Sequence, residues 1–384
     1  MKQRIVGIDL ARSFAILLVT WKHSMASFGA RGQLEGVANV GLELLMQLAT
    51  PTFLILFGAM LELVYRPRFE AGKRIETAKR LYRRAWQCYG YYALAIISFF
   101  LIMGTYSLKS LPLVFTGFIS VPYSHLLAFY TVALALSPLL LVLRSRLGLF
   151  PLVSIALLVH LAHPILNNLS QAPLLFGKDY LQHMSGFLYG RGVDFIGPSL
   201  IHGLSLVIFG MLFGSGLRPS TDSAGKTTIS STISLWMAGA ACLIIAYCWN
   251  WSSPEHTMNT LLDATFRVES HPLYFSIGLL GTLVITWVFL ASHDLRGLKF
   301  GYPIRVFGRR SLFAFGIGNI LCYIAPPSLM LVFGMWGSVL ALFLTVCVLT
   351  ILYDQYEEHR PEGGYGAKFY AAMKRRMPWG YAGQ

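Results

Sequence analysis

The segment GIDLARSFAILLVTWKHSM, residues 7–25, decides how this chain is read. It is apolar enough to enter a bilayer, yet it carries Asp9, Arg12, Lys22 and His23. Ionisable groups inside a membrane span are expensive, so they mark function by default. Arg12 and His23 are eleven residues apart, about three helical turns and about 16 Å of rise. That interval returns both side chains to nearly one face. A helix over 5–27 would therefore hold a cation near one membrane surface and an imidazole near the other, facing the same way. This suits a site reached from two sides. Asp9 sits three residues before Arg12 and can pair with it. Lys22 points about 100° away from His23 and has the stem to snorkel outward.

The surrounding sequence places that segment in an all-α polytopic membrane protein. Of 384 residues, 55% are hydrophobic and only 12% charged, against about 25% charged in a soluble domain. The net charge of +14 would suggest nucleic acid as a partner in a soluble protein. Here it reads as positive-inside topology, with no nucleic acid expected. Ten helical segments are expected, at about 5–27, 38–65, 85–104, 124–143, 149–167, 193–214, 231–250, 271–291, 306–325 and 329–353. With the N-terminus in the cytoplasm, 24 of the 31 Lys and Arg fall on inner segments. Five fall outside (Arg31, Lys109, Lys178, Arg191, Arg267), and Arg12 and Lys22 lie within the first helix. The ratio predicts about ten transmembrane helices with both termini cytoplasmic. Residues 1–353 form the membrane domain, and 354–384 a basic cytoplasmic tail that can lie against anionic lipid. The first segment reads as an uncleaved span, because Asp9 and Arg12 interrupt the apolar run a signal peptide needs. Residues 105–123, bounded by Pro112 and Pro122, suggest a re-entrant or interfacial piece. The five cysteines are scattered without CxxC and imply no disulfide framework.

His23 is the expected chemical centre, since histidine can take a proton from a hydroxyl and return one to a leaving group. An interfacial histidine satisfied by solvent is the plainer alternative. Asp9 with Arg12 reads either as a self-neutralising pair or as a holder of a phosphate or acyl-donor group. Glu43, in the helix that Pro51 is expected to kink, is a second carboxylate within possible reach of His23. Arg80, Arg83 and Arg84 recur at helical spacing in KRLYRRAWQCY (residues 79–89). They either anchor the inner surface or recognise donor phosphates. His125, His160, His163 and His202 cluster towards the outer half, and the outer loops 168–192 and 251–270 could shape an acceptor site. No His–carboxylate cluster suggests a metal, and no P-loop suggests nucleotide hydrolysis.

These residues resemble the acyltransferase-3 superfamily of integral membrane acyltransferases. The first segment has its IDxxR opening followed by Arg-x10-His, here Ile8-Asp9, Arg12 and His23. TPTFLILFGAML (50–61) looks like its PxFFxxSG helix, with Phe53 and Gly58 in place and Phe57 where serine is usual. SHLLAFYTV (124–132) resembles its HLWYL stretch through His125. FGRRSLFAFGIGN (307–319) is similar to its late lGxxSLxxFxxH motif through Gly308, Ser311, Leu312 and Phe315, with Gly318 and then Asn319 where histidine often closes it. RRAW…Y at 83–89 and the late segment are similar to the branch that succinylates periplasmic glucans.

The resemblance implies a multi-pass bacterial inner-membrane enzyme. It would move an acetyl or succinyl group from cytoplasmic acyl-CoA to a hydroxyl of a periplasmic or cell-surface glycan. His23 would be the general base or transient acyl carrier and Asp9 would orient Arg12; Glu43, from its position alone, is expected with them in the catalytic group. Arg12, Arg80, Arg83, Arg84, Arg309, Arg310 and Ser311 would hold the donor, and His125 and His163 would face the acceptor. Acyl-CoA would be the co-substrate, with no metal; oligomeric state stays open. A secondary transporter of a glycan or small metabolite is the main alternative, but the sequence shows no inverted repeat of the kind many transporters carry.

Overall fold

The computed structural model describes residues 5–33, 36–103, 111–116, 121–169, 171–175, 177–190, 197–219, 227–229, 231–249, 253–262, 265–291, 301–325 and 328–359. The helices are α1 (Val6–Ser27), α2 (Gly36–Gln47), α3 (Ala49–Met60), α4 (Arg66–Glu70), α5 (Arg74–Met103), α6 (Leu111–Phe115), α7 (His125–Leu147), α8 (Leu149–Leu161), α9 (His163–Asn167), α10 (Tyr180–Tyr189), α11 (Leu200–Gly216), α12 (Ser231–Trp249), α13 (Pro254–Leu262), α14 (Thr265–Val268), α15 (Pro272–Ala291), α16 (Gly301–Arg309), α17 (Ser311–Ile324) and α18 (Ser328–Glu358). A π-helical turn, Leu61–Tyr65, joins α3 to α4. The only strands among the described residues form a short antiparallel hairpin, β1 (Leu217–Pro219) with β2 (Thr227–Ile229).

Each of the ten expected segments contains helix, but five described stretches are long and apolar enough to cross a membrane: Asn39–Glu70, Arg74–Ile102, His125–Leu147, Pro272–Ala291 and Ser328–Glu358. The expectation of ten spans therefore stands at five by length and composition. Local breaks interrupt two of the other five segments, whereas α1, unbroken over 22 residues, carries Asp9, Arg12 and Lys22, and α11 has 17 residues. The segment 149–167 splits at Ala162, leaving α8 at 13 residues, about 20 Å against a hydrocarbon core of about 30 Å. The segment 306–325 splits at Arg310 into α16 and α17; α18, though kinked at Gly334 (φ 65°), is one of the five. Residues 1–4 and 360–384, which include most of the expected tail, lie outside the described residues, as do 104–110 and 117–120 of the expected re-entrant piece.

α1 is the hub of the bundle, packed by α3, α15, α16, α17 and α18. Two close approaches fix its surroundings. α3 and α11 touch backbone to backbone through Gly58, Gly210 and Gly214; a Cβ at Gly58 would overlap the Val207 carbonyl, and one at Gly210 the Ile55 carbonyl. Small residues at a four-residue interval allow membrane helices this contact. α16 meets α1 at Gly308, where a Cβ would overlap the Asp9 carbonyl. There the Gly308 N–H donates to Ser13 Oγ (2.7 Å), and Ser13 Oγ donates to the Asp9 carbonyl (2.9 Å).

Pro51 acts as its chemistry predicts. Proline removes the hydrogen bond that the carbonyl four residues back would accept. That carbonyl belongs to Gln47, and the chain breaks between α2 and α3 at Leu48. The freed oxygen accepts from the Tyr274 hydroxyl instead (3.4 Å).

Candidate active site

A cavity of about 620 Å³ opens beside the N-terminal half of α1. Its cations are Arg12, Arg84, Arg309 and Arg310, and Ser311 at the start of α17 also lines it. Deeper in, the walls become apolar: Ile16, Phe53, Leu126, Leu127 and Phe315. Arg12 and Ile16 lie four residues apart on one face of α1, so the helix presents the same stripe to the cavity along its length.

The four arginines are anchored differently. Arg12 pairs with Asp9 (3.7 Å) and donates to the Gly308 carbonyl (3.5 Å). Arg309 bonds Asp354 and Glu358 (2.7 Å to the latter). Arg310 bonds Asp354 (2.7 Å), and its guanidinium lies 5.6 Å over the Tyr353 ring. Asp354, fully buried, thus clamps both arginines to the end of α18. Arg84 donates to the neutral side chain of Gln87 (3.4 Å). Arg80 and Arg83, expected as donor ligands, do not line the cavity; both are exposed, and Arg80 pairs with Glu76 one turn back (3.2 Å). Their helix turns them to the surface, as inner-face anchors would be.

The cavity ends below His23. Phe315 is the boundary: its ring lines the cavity and lies 5.9 Å from the His23 ring, and Phe53 stands 6.4 Å from Phe315. On the other side of the imidazole, Tyr123 packs at 4.9 Å. Tyr123 holds a positive φ of 60°, a strained conformation for a bulky residue and one found disproportionately at functional sites. His23 Nδ1 lies 2.9 Å from Asn319 Oδ1. An amide oxygen only accepts, so Nδ1 carries the proton and Nε2 keeps its lone pair. The Asn319 Nδ2 is buried without a hydrogen-bond partner.

Neither expected carboxylate supports His23 directly. Asp9 is fourteen residues back along α1, about 21 Å away by helical rise, at the Arg12 end. Glu43 is buried but committed to Arg31, which donates to it from Nε and Nη2 (3.1–3.3 Å). Lys22, expected to snorkel outward, is only 6% exposed and reaches Gln47 Oε1 at 3.5 Å. His125 does come to this end of α1: it, Lys22 and Arg267 are the groups whose charge acts on His23. His163 joins a different group. Its ring is 5.0 Å from His271 and 6.4 Å from His202, which in turn lies 5.5 Å from His160. No set of three or more His, Cys, Asp or Glu among the described residues is arranged to hold a metal ion.

Asn319 is the residue that sequence reasoning passed over. It was visible only as the place where the late motif departs from histidine. Its partner lies 296 positions away, and nothing in either segment alone announces the bond.

Residues 4–119 match the family model described as OpgC protein. The matched stretch spans α1 with Asp9, Arg12 and His23, the Pro51 helix and the basic start of α5. No curated protein and no solved structure matches the chain.

Proposed function

We propose that this protein is a membrane O-acyltransferase that moves an acyl group, succinyl in preference to acetyl, from cytoplasmic acyl-CoA to a glycan hydroxyl on the opposite side of the bacterial inner membrane. One observation carries the reading. A single buried helix puts Arg12 in an open, arginine-rich cavity and an oriented imidazole just past that cavity's closed end. The arginines suit the phosphates of a CoA thioester. The apolar upper walls suit its uncharged arm. The OpgC match over the segment that holds Arg12 and His23 favours a glucan acceptor and a succinyl donor.

The chemistry follows from the orientation of His23. Nε2 takes the proton of the acceptor hydroxyl as its oxygen attacks the thioester carbonyl carbon. The C–O bond forms, the C–S bond breaks, and the CoA thiolate leaves and is protonated by the imidazolium. Asn319 keeps Nδ1 protonated and the ring fixed, as the orienting group of a catalytic triad does. Its partnerless Nδ2 is a donor available to the oxygen that gains charge in the transition state. His125 stands on the acceptor side. Arg309 and Arg310, held by Asp354, present fixed donors at the mouth.

The test is acyl-CoA turnover by purified protein in lipid nanodiscs, with succinyl-CoA and acetyl-CoA, with and without a β-glucan acceptor. Acceptor-dependent CoA release that vanishes in His23→Ala supports the enzyme. No turnover with either donor, from protein that is folded and monodisperse, sinks it.

A further inference from the structure

Among the described residues, the end of α1 that holds His23 gathers more positive charge than committed carboxylates neutralise. Lys22, adjacent to His23 in the chain, is buried, and its hydrogen bond to Gln47 is long at 3.5 Å. Gln47 is itself engaged, donating to the Leu261 carbonyl (3.4 Å). Arg267, in α14, is half-buried, and its Nε is buried without a hydrogen-bond partner. The Arg267 charge acts on Lys22, His23, His125 and Tyr274, so α14 brings its guanidinium to the same end of α1. Arg31 adds a third cation near Lys22. Among the described residues, one carboxylate acts on Lys22, that of Glu43, and three hydrogen bonds commit it to Arg31. A buried ammonium and a half-buried guanidinium at one end of α1, with no committed counter-ion among the described residues, are costly. Ser270, three residues after Arg267, holds a positive φ of 53°, a strained turn that helps fix where α14 ends.

We propose that Lys22 and Arg267 form a carboxylate-binding subsite beside His23. A guanidinium edge with an unused Nε–H next to an ammonium matches the two oxygens of a carboxylate. The inference rests on the acyl-transfer reading in one respect: the group next to His23 in that reaction is either the acyl chain or the acceptor. The carboxylate is thus either the free end of a dicarboxylic acyl group or an acidic group on the acceptor. In the first case these two residues set the choice between succinyl and acetyl donors. Neither belongs to the motifs that carry the family resemblance.

The test uses the full chain in nanodiscs with Lys22→Met, Arg267→Gln and the charge-preserving Lys22→Arg and Arg267→Lys. Binding of radiolabelled succinate comes first, since it needs no turnover. Wild type should bind it, the neutral variants should weaken it about ten-fold or more, and the charge-preserving variants should recover part of the loss. Then kcat/KM is compared for succinyl-CoA over acetyl-CoA on a neutral glucan, and for a uronic-acid-containing over a neutral glycan with acetyl-CoA. A ten-fold fall in the first ratio places the carboxylate on the acyl group; a fall in the second places it on the acceptor. Succinate binding in a protein with no transferase activity would keep the subsite and discard the acyltransferase. Neutral variants that bind succinate as wild type does, or an active wild type with both ratios unchanged by them, would overturn the subsite.

Discussion

The two ends of α1 treat charge in opposite ways. At the Arg12 end, cations face an open cavity and most have an anionic partner: Asp9 for Arg12, and Asp354 for Arg309 and Arg310. At the His23 end, Lys22 is buried, the part-buried imidazole is held by a neutral amide, and among the described residues Lys22 and Arg267 share no carboxylate of their own. The difference teaches where each kind of chemistry fits. Arginines held by buried carboxylates stay in place, and their remaining N–H groups at the open cavity can meet a polyanion without stripping Asp354 of its partners. A part-buried imidazole oriented by a neutral amide keeps its Nε2 lone pair, which is what the proposed reaction requires.

The largest effect that would break this contrast is loss of the imidazole. His23→Ala should reduce acyl transfer by about 10²–10⁴-fold, the range for removal of a general base, while the thermal unfolding midpoint in detergent stays near that of wild type. A comparable loss of activity accompanied by loss of monodisperse protein would assign His23 a packing role instead. Gly308→Val attacks the other end. Its side chain would collide with the Asp9 carbonyl, so α16 must separate from α1, and the melting temperature should fall by several degrees for about 1–3 kcal/mol of strain.

Asn319→Leu should cost about ten- to a hundred-fold or more in kcat with a smaller change in KM, since it frees the ring and removes a donor to the transition-state oxygen while leaving the arginines that bind the ground-state thioester. A KM effect alone would move Asn319 from orienting His23 to shaping the pocket. Arg12→Ala should show the reverse split, raising the KM for the CoA thioester about ten-fold, with partial recovery in Arg12→Lys. Arg80→Ala is the smallest and sharpens the boundary of the mouth. Its exposed pair with Glu76 is worth well under about 1 kcal/mol, and steady-state kinetics should change less than two-fold.

The sequence made the hub helix readable because everything needed sits within one segment: a period of 3.6 and an eleven-residue interval. It made the helical segments readable from apolar length alone. The breaks were harder. Pro51 announced its own, and Pro164, at the start of α9, marks the one at Ala162; Arg310 is an ordinary residue that carries no such signal. The partners in the site were hidden for a single reason. His23 meets Asn319 and Arg309 meets Asp354 across 296 and 45 positions, and a lone sequence carries no trace of which distant segments touch. Lys22 shows the same limit. Its stem could reach water from an isolated helix, and only the arrival of α2 and the α13–α14 region buries it.

The aromatic wall between the cavity and His23 bears on the cell as well as on the reaction. Phe53 and Phe315 close the cavity with Ile16, Leu126 and Leu127 where it meets the imidazole. A catalyst approached from both faces of an energised membrane is also a potential short circuit for protons and ions. On the proposed reading, the apolar side chains at this waist would offer no polar path and so insulate the electrochemical gradient, while the uncharged arm of a CoA thioester could still part them.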